Sequence, residues 1–223
     1  MTLPYDKLTL EDKTMIIDKT LWSAMFIKTA ELMKEGKDIL SDIDSRFGDG
    51  DHGVTISRIA DLLLKAVEEW QTNDWNLKAF FGEIGNKITN VNGGSAGPLY
   101  GVFFSGLGEC LSNETSSDAA LLKKILRSGL DELHLLTNAK VGDKTIMDTM
   151  IPAIDAATSS PDDVITILTN AKDAGLAGAK ASEQFVSKYG RAKNYKEATI
   201  GTPDAGALSC TYIFLGFYQA VVS

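Results

Sequence analysis

Apolar residues recur along most of the chain at the spacing of an α-helix. The clearest stripe consists of residues three or four positions apart: Ile56, Ile59, Leu63, Val67 and Trp70. Similar patterns predict further helices over about 122–133, 161–188 and 206–222. Alternating runs separated by hairpin turns, which would indicate strands, are not found in the sequence. We therefore predict an all-α protein of about eight helices, organised as a single domain over residues 1–223.

Composition limits the classes of function. Hydrophobic residues make up 44% of the 223 positions and charged residues 23%, as in ordinary soluble proteins. Lys and Arg number 22 against 30 for Asp and Glu, so the net charge of −8 disfavours nucleic acid and anionic membranes as partners. Segment 1–13 is too charged for a secretory signal, and no run approaches the roughly 18 apolar residues of a membrane span. We expect a cytoplasmic protein with Cys110 and Cys210 reduced.

The loop 44–55 carries the strongest chemical signal. Asp44, Asp49 and Asp51 lie within eight residues and are interspersed with glycines, which let a loop curl until its carboxylates converge. Like charges held this closely repel unless a cation lies between them, and carboxylate oxygens suit Mg²⁺ or Ca²⁺. The plain alternative is a solvated acidic turn in which Asp51 or His52 caps the next helix.

Two familiar motifs do not explain this loop. Gly48, Gly50 and Gly53 spell G-x-G-x-x-G, but a dinucleotide-binding fingerprint needs a preceding β-strand, and the preceding residues are helical in pattern. An EF-hand that started at Asp49 would place Gly53 and Val54 at its fifth and sixth positions, which does not fit that loop.

A glycine-rich loop, 92–101, precedes an apolar stretch predicted to be helical over 102–111. Backbone N–H groups of such a loop at a helix N-terminus form an anion site, and Ser95 adds a hydroxyl group. The loop is not a Walker A motif, since the sequence lacks G-x-x-x-x-G-K-[ST]. The alternative is a tight connection whose glycines allow two helices to approach closely.

Two further polar loops contain single candidates. In 141–148, Asp143 or Thr145 could cap the following helix, Lys144 could pair with phosphate or a carboxylate, and Ile146 and Met147 could form an apolar wall for a purine. In 190–206, Arg191 suits phosphate or is a plain surface charge, and Asp204 could cap the final helix.

Together the four loops resemble one family, the nucleotide-binding L subunit or C-terminal domain of dihydroxyacetone kinases. The matching strings, D-x4-GDGDHG, GGSAGPLYG, VGDKT-x2-D and GRA…IGTPDAGA, occur in the order and at the separations typical of that family, over nearly the whole chain. The resemblance implies an antiparallel barrel of eight helices with the nucleotide at one end. It also implies that Asp44, Asp49 and Asp51 hold two Mg²⁺ ions that bridge the nucleotide phosphates.

The resemblance further implies a set of nucleotide-binding residues. They are His52, Gly53 and Thr55 beside the phosphates, Gly94, Ser95 and Ala96 against the phosphate tail, Ile146 on the nucleotide, and Arg191, Asp204, Ala205 and Gly206 at its other contacts. The chain departs from the family pattern twice. Ser95 and Ala96 stand where alanine and serine are usual, and Ala205 stands where proline is frequent, a change that affects stiffness more than chemistry.

The implied function is transfer of the terminal phosphoryl group of ATP, either formed on retained ADP or exchanged from solution, to dihydroxyacetone held by a separate K subunit. The chain has two histidines, and neither His52 nor His134 fits the ketose-binding histidine of the family, so we expect half of an enzyme. Further implied partners are a phosphotransferase-system M subunit, which would rephosphorylate bound ADP, and a transcription regulator. Alternatives are an ATP-exchanging subunit for another ketose such as erythrulose, a non-catalytic nucleotide-sensing module, and a domain of a fatty-acid kinase.

Overall fold

The computed structural model describes residues 15–223, and these form helices joined by short loops. The prediction about segment 1–13 lies outside the described residues. The α-helices are α1 (Lys19–Glu35), α2 (Lys37–Ser45), α3 (His52–Thr72), α4 (Leu77–Thr89), α5 (Ala96–Gly106), α6 (Ala119–Leu136), α7 (Met147–Ser159), α8 (Val164–Ala181) and α9 (Ala205–Val222). Two 3₁₀ segments, Ser182–Gln184 and Ala192–Thr199, lie between α8 and α9. The predicted all-α class is confirmed.

Eight of these helices form a closed ring. Each of α3 to α8 packs against the next helix along the chain, α9 packs back on α1, and α1 packs on α3. Short connections between consecutive helices favour antiparallel neighbours. The short α2 stands apart from this ring and contacts mainly α3 and α9. The predicted count of about eight therefore matches the ring, with α2 as an additional helix at one end.

The ring encloses an aromatic core. Trp22 and Phe26 of α1 are fully buried against Phe81 of α4 and Phe217 of α9. The ring centroids of Trp22 and Phe81 lie 5.1 Å apart at 81°, an edge-to-face arrangement that aromatic quadrupoles favour. The stripe predicted for α3 also faces this core, since its members from Ile56 to Trp70 are buried.

Two helix boundaries differ from the prediction. Helix α8 begins at Val164 and ends at Ala181, so the predicted helix 161–188 was too long at both ends. Asp163 determines this start, since its side chain accepts a hydrogen bond of 2.8 Å from the Thr166 N–H. Helix α5 begins at Ala96 and ends at Gly106, whereas the sequence predicted a helix over 102–111. The second half of the glycine motif is therefore the first turn of α5.

Helix α9 is both long and apolar. Its 18 residues are long and apolar enough to cross a membrane by length and composition, with a mean hydropathy of 1.4. Ser209, Thr211 and Gln219 interrupt its apolar sequence, so α9 is not the uninterrupted run of about 18 apolar residues whose absence was predicted. Half of the helix is buried inside the protein, where it packs against α1 and α8, as a core helix does.

Candidate functional site

A cavity of about 630 Å³ lies at one end of the helix ring. Helices α3, α5, α7 and α9 all begin at this end, so four helix N-termini converge on the cavity. The unpaired N–H groups and the dipole of each N-terminus favour a negatively charged ligand. All four loops singled out from the sequence contribute to the lining.

The acidic loop brings its three carboxylates together at this cavity. Candidate ligand atoms of Asp44, Asp49 and Asp51 all lie within 4.8 Å of one another. Gly50 adopts a φ of 75°, and its N–H donates a hydrogen bond of 2.9 Å to Asp44 Oδ2, which holds the loop in its curled form. Asp51 occupies the N-cap position of α3, but its side chain makes no capping hydrogen bond. The alternative interpretation, an acidic turn in which Asp51 caps the next helix, requires such a bond.

Neighbouring charges shift the pKa values of Asp51 and Asp49 in opposite directions. Partial burial and the neighbouring Asp49 and Asp44 carboxylates raise the pKa of Asp51, as expected of like charges. A hydrogen bond from Arg191 lowers the pKa of Asp49. Arg191 and Asp49 form an ion pair with both side chains well exposed. The arginine predicted for phosphate binding thus lies directly on the acidic cluster.

The glycine loop forms the opposite wall of the cavity. Gly93 and Gly94 have φ values of 143° and 62°, a region that favours glycine, and they lead directly into α5. Ser95 is exposed at the N-cap position and makes no capping bond with its side chain, so its hydroxyl group and the first N–H groups of α5 are available to a ligand.

Two residues expected at the nucleotide lie behind this wall. Thr55 is 1% exposed, and its Oγ1 has no hydrogen-bond partner among the described residues. A Cβ atom added to Gly93 would lie 2.0 Å from that oxygen, so Thr55 supports the glycine loop from below. Gly53 packs on α2, where an added Cβ atom would lie 1.9 Å from the Lys37 carbonyl oxygen. Neither Thr55 nor Gly53 lines the cavity.

Lys144 has an internal role in place of the predicted contact with phosphate or a carboxylate. It is 4% exposed and has a φ of 61°, and its Nζ donates to the backbone carbonyls of Ser182, at 2.6 Å, and Thr202. These bonds tie loop 141–148 to the two segments that precede α9. Burial lowers the pKa of Lys144, although Asp204 and Asp148 oppose this effect.

Asp204 links the last loop to α9. Its side chain accepts a hydrogen bond of 2.8 Å from the Ala207 N–H, so the predicted N-cap is present. Burial raises the pKa of Asp204 to about 7, and Asp148 contributes in the same direction. Asp143 does not cap α7, because it is paired with Lys188 at 2.6 Å.

Apolar side chains complete the cavity. Ile146 and Met147 line it at the start of α7, and Ala205 and Gly206 line it at the start of α9. Leu99 and Leu136 also line the cavity but were not predicted from the sequence. Leu99 lies inside the glycine motif and could have been found there. Leu136 is the last residue of α6, and nothing in the sequence around it indicates a binding site; the structure shows that it is half exposed.

His52 connects the acidic loop to the interior of the protein. It is the first residue of α3 and lines the cavity beside Asp51. Its Nε2 atom lies 2.9 Å from the hydroxyl oxygen of Ser209 on α9. Burial lowers the pKa of His52, while Asp44 acts to raise it.

Known proteins match most of the chain. The family model of the DAK2 domain matches residues 46–219, which include every site residue discussed above except Asp44. The ADP-binding subunit DhaL of PEP-dependent dihydroxyacetone kinase 1 from Listeria innocua is 31% identical over 94% of this chain and 100% of its own length. D-erythrulose kinase from Mycolicibacterium smegmatis is 28% identical over 82% of this chain, which corresponds to 32% of that protein.

A solved structure supports the fold. The dihydroxyacetone kinase from C. freundii in complex with AMP-PNP and Mg²⁺ matches with a TM-score of 0.71 at 23% sequence identity. The match covers 98% of this chain and 37% of the longer C. freundii chain. The similarity therefore extends over the whole helix ring.

Proposed function

Because this chain belongs to the DAK2-domain family, we propose that it is the ADP-binding subunit of a dihydroxyacetone-type kinase, a phosphoryl-transferring protein that acts on a ketose held by a separate subunit. The observation that carries the proposal is the set of three carboxylates, within 4.8 Å of one another, at a cavity on which four helix N-termini converge. This combination suits a polyanion that arrives with metal cations.

The acidic cluster fits magnesium. Asp44, Asp49 and Asp51 offer hard oxygen ligands, and the raised pKa of Asp51 reflects a repulsion that a cation would relieve. Bound Mg²⁺, two ions in our proposal, would neutralise the nucleotide phosphates and stabilise the charge of the transferring phosphoryl group. The protein's own contribution is to hold the three carboxylates at the rim of a shaped cavity.

The remaining walls bind and orient the nucleotide. Gly94, Ser95 and Ala96 present backbone N–H groups and a hydroxyl group to the phosphates, and Arg191 provides a fixed positive charge on the side of the acidic cluster. Arg191 is free to move from Asp49 to a phosphate oxygen, since solvent screens an exposed ion pair of this kind and leaves it weak. Ile146 and the turn from Asp204 to Gly206 border the apolar side, which suits the base.

The reaction needs a partner in this proposal. A K subunit binds the ketose, and the phosphoryl group passes from the nucleotide on this chain to the ketose hydroxyl group. The relatives named as PEP-dependent or PTS-dependent kinase subunits support ADP as a retained cofactor, rephosphorylated in the cytoplasm by a phosphotransferase-system M subunit. A transcription regulator is a further partner that the family implies.

A second candidate differs in donor and substrate. The relatives named D-erythrulose kinase and L-erythrulose kinase support an ATP-exchanging subunit that serves a four-carbon ketose. The cavity of this chain binds only the nucleotide in either version, so its geometry is compatible with both. A non-catalytic nucleotide sensor is disfavoured, because a module without catalytic activity could lose some of the three carboxylates, and this chain retains all of them.

The test is to identify the nucleotide that the protein retains. The chain is purified in Mg²⁺ and denatured, and the released nucleotide is separated by chromatography. Near-stoichiometric ADP supports the phosphotransferase-system version, whereas an empty protein that binds ATP reversibly supports the exchanging kinase. A protein that binds neither nucleotide in Mg²⁺ contradicts the proposal. Phosphorylation of dihydroxyacetone by this chain alone, at a rate typical of kinases, would contradict the need for a K subunit.

A further inference from the structure

A buried chain of polar side chains runs from the core of the helix ring to the nucleotide cavity. Tyr100 of α5 is fully buried, and its hydroxyl group donates a hydrogen bond of 2.8 Å to the Ser209 hydroxyl oxygen. Ser209 is also fully buried, and the same oxygen lies 2.9 Å from His52 Nε2. The Cys210 thiol donates to the Tyr100 hydroxyl oxygen at 3.3 Å. His52 is the one member that reaches the cavity.

The positions of the hydrogens follow from counting donors. A serine hydroxyl group has one hydrogen and two lone pairs. Ser209 donates its hydrogen to the Gly206 carbonyl oxygen at 2.9 Å, within the first turn of α9. Its two lone pairs then face Tyr100 and His52, and both of these groups must donate. The ring nitrogen that faces Ser209 therefore carries a hydrogen.

The inner end of the chain supports this direction. Burial raises the pKa of Tyr100 well above its usual value and the pKa of Cys210 to about 12, so both groups keep their protons at physiological pH. Each therefore donates towards the next group, from the thiol to the phenol and from the phenol to the serine. This series of hydrogen-bonded side chains therefore offers His52 an acceptor, the Ser209 hydroxyl oxygen, and no donor.

The groups around the imidazole agree with this assignment. Ala205 lies one helical turn before Ser209 on α9, so the two residues share a helix face. The Ala205 backbone favours a protonated ring, as a carbonyl acceptor does, and the Asp44 carboxylate acts in the same direction.

We propose that Ser209 and Tyr100 are positioning residues that hold the Nε2–H group of His52 towards α9 and so fix the orientation in which the imidazole ring meets the nucleotide cavity. The inference deepens the proposed function and rests on it for its role in nucleotide binding. A ring held in one orientation presents the same edge to the nucleotide phosphates in every molecule, whereas a ring without this hydrogen bond can turn about its side-chain bonds.

The tautomer can be measured directly because the chain has two histidines. In a His134→Gln background, which removes the exposed histidine of α6, His52 gives the remaining imidazole signals. Long-range ¹H–¹⁵N correlation at pH 8 distinguishes a protonated from an unprotonated ring nitrogen. We expect Nε2 to be protonated, because it faces the lone pair of the Ser209 hydroxyl oxygen. A protonated Nδ1 with a bare Nε2 would overturn the proposal without any further variant.

A variant pair separates positioning from general packing. Ser209→Ala removes the acceptor, so we expect a mixture of the two tautomers and about a fivefold loss of Mg–ADP affinity. Thr211→Val is the matched control, since Thr211 is a buried residue of the same helix whose hydroxyl group bonds only to the Leu208 carbonyl among the described residues. The control should keep both the tautomer and the affinity. Ser209→Thr, which retains the hydroxyl group, should restore the Nε2–H form.

The outcomes remain distinct from those that test the proposed function. A Ser209→Ala protein that folds like the control and keeps the Nε2–H tautomer would refute the positioning role, whatever its affinity. A chain with the expected tautomer that binds neither ADP nor ATP would refute the proposed function instead. The tautomer measurement uses the nucleotide-free protein, so it does not depend on binding.

Discussion

At the scale of single residues, the acidic cluster concentrates opposing effects on Asp49. This residue is one of three converging carboxylates and is also the ion-pair partner of Arg191. Arg191, a cation from a different loop, lowers the pKa of Asp49, whereas the like charges of Asp49 and Asp44 help to raise the pKa of Asp51. A metal ion would compete with Arg191 for the same carboxylate, and the released arginine would remain close to the phosphates.

Asp49→Asn should strongly weaken binding of the Mg–nucleotide complex. Loss of one ligand charge is expected to reduce affinity by about 100-fold or more, since loss of even an outer partner of a metal ligand commonly reduces it by about 10- to 100-fold. The metal-free protein should unfold at a nearly unchanged temperature, since relieved repulsion and the lost exposed ion pair act in opposite directions. Isothermal titration with Mg–ADP measures the affinity.

Asp42→Asn provides the control for this variant. Asp42 lies on α2 and pairs with Arg46 at 2.9 Å, and it does not line the cavity. Its replacement should leave nucleotide affinity unchanged. Equal affinities for the Asp49→Asn variant and the unaltered protein would show that Asp49 is not a metal ligand.

At the scale of elements, the start of α9 combines structural and ligand-binding roles. Asp204 caps the helix, Lys144 binds the Thr202 carbonyl just before it, and Ala205 and Gly206 line the cavity. Glycine is required at 206 by the neighbouring loop, since an added Cβ atom would lie 2.9 Å from a methyl carbon of Ile146. The buried polar bonds thus hold the two loops that border the base side of the cavity.

Stability should depend on pH through Asp204. The pKa of Asp204 is about 7 in the folded protein, whereas an unperturbed aspartate has a pKa of 3.8, so the folded state binds more protons than the unfolded state between these two pH values. This group therefore lowers the free energy of unfolding as pH rises from about 4 to 7. Asp204→Asn keeps a capping side chain and removes the titration. The difference in the free energy of unfolding between the variant and the unaltered protein should therefore be more favourable to the variant at pH 8 than at pH 5.

Urea denaturation at both pH values measures this effect. Asp163→Asn is the control, since Asp163 caps α8 in the same way and hydrogen bonds from Thr166 lower its pKa, so its carboxylate stays ionised at both pH values. If Asp204→Asn changes stability equally at pH 5 and pH 8, the buried carboxylate does not titrate in this range.

At the scale of the whole molecule, the site exists only where the ring of helices closes. Loops from the two ends and the middle of the described chain meet at one cavity, and four helix dipoles point into it. A ligand that bridges these loops connects elements that otherwise contact one another mainly through the core. Binding should therefore stabilise the fold as a unit.

Mg–ADP should raise the melting temperature of the purified chain. At a ligand concentration about 100 times Kd, mass action contributes about 2.7 kcal/mol, which corresponds to a rise of roughly 5–10 °C for a domain of this size. Differential scanning calorimetry with Mg–ADP, ADP plus chelator, and Mg²⁺ alone separates the contributions. ADP plus chelator should have little effect, and an equal rise with and without metal would argue against metal-mediated binding.

Sequence alone determined the helical class, the core stripe of α3 and the four loops that carry the site chemistry. These properties are local, because helical periodicity and the conformational freedom of glycine are encoded by neighbours in the chain. Membership of the family could also be inferred from the order of the motifs, which the DAK2 match bears out. The roles of Asp49, Ser95 and Arg191 in binding remain predictions.

The tertiary structure decided which side chains meet. Lys144 was a candidate phosphate ligand in the sequence, but packing places its ammonium group on two buried carbonyls. Thr55 and Gly53 belong to the motif, yet they support the glycine loop and α2 from behind. The contact between His52 and Ser209 joins residues from opposite ends of the chain, so no local pattern signals it. Such pairings depend on how the ring closes, which is determined by the packing of the whole core.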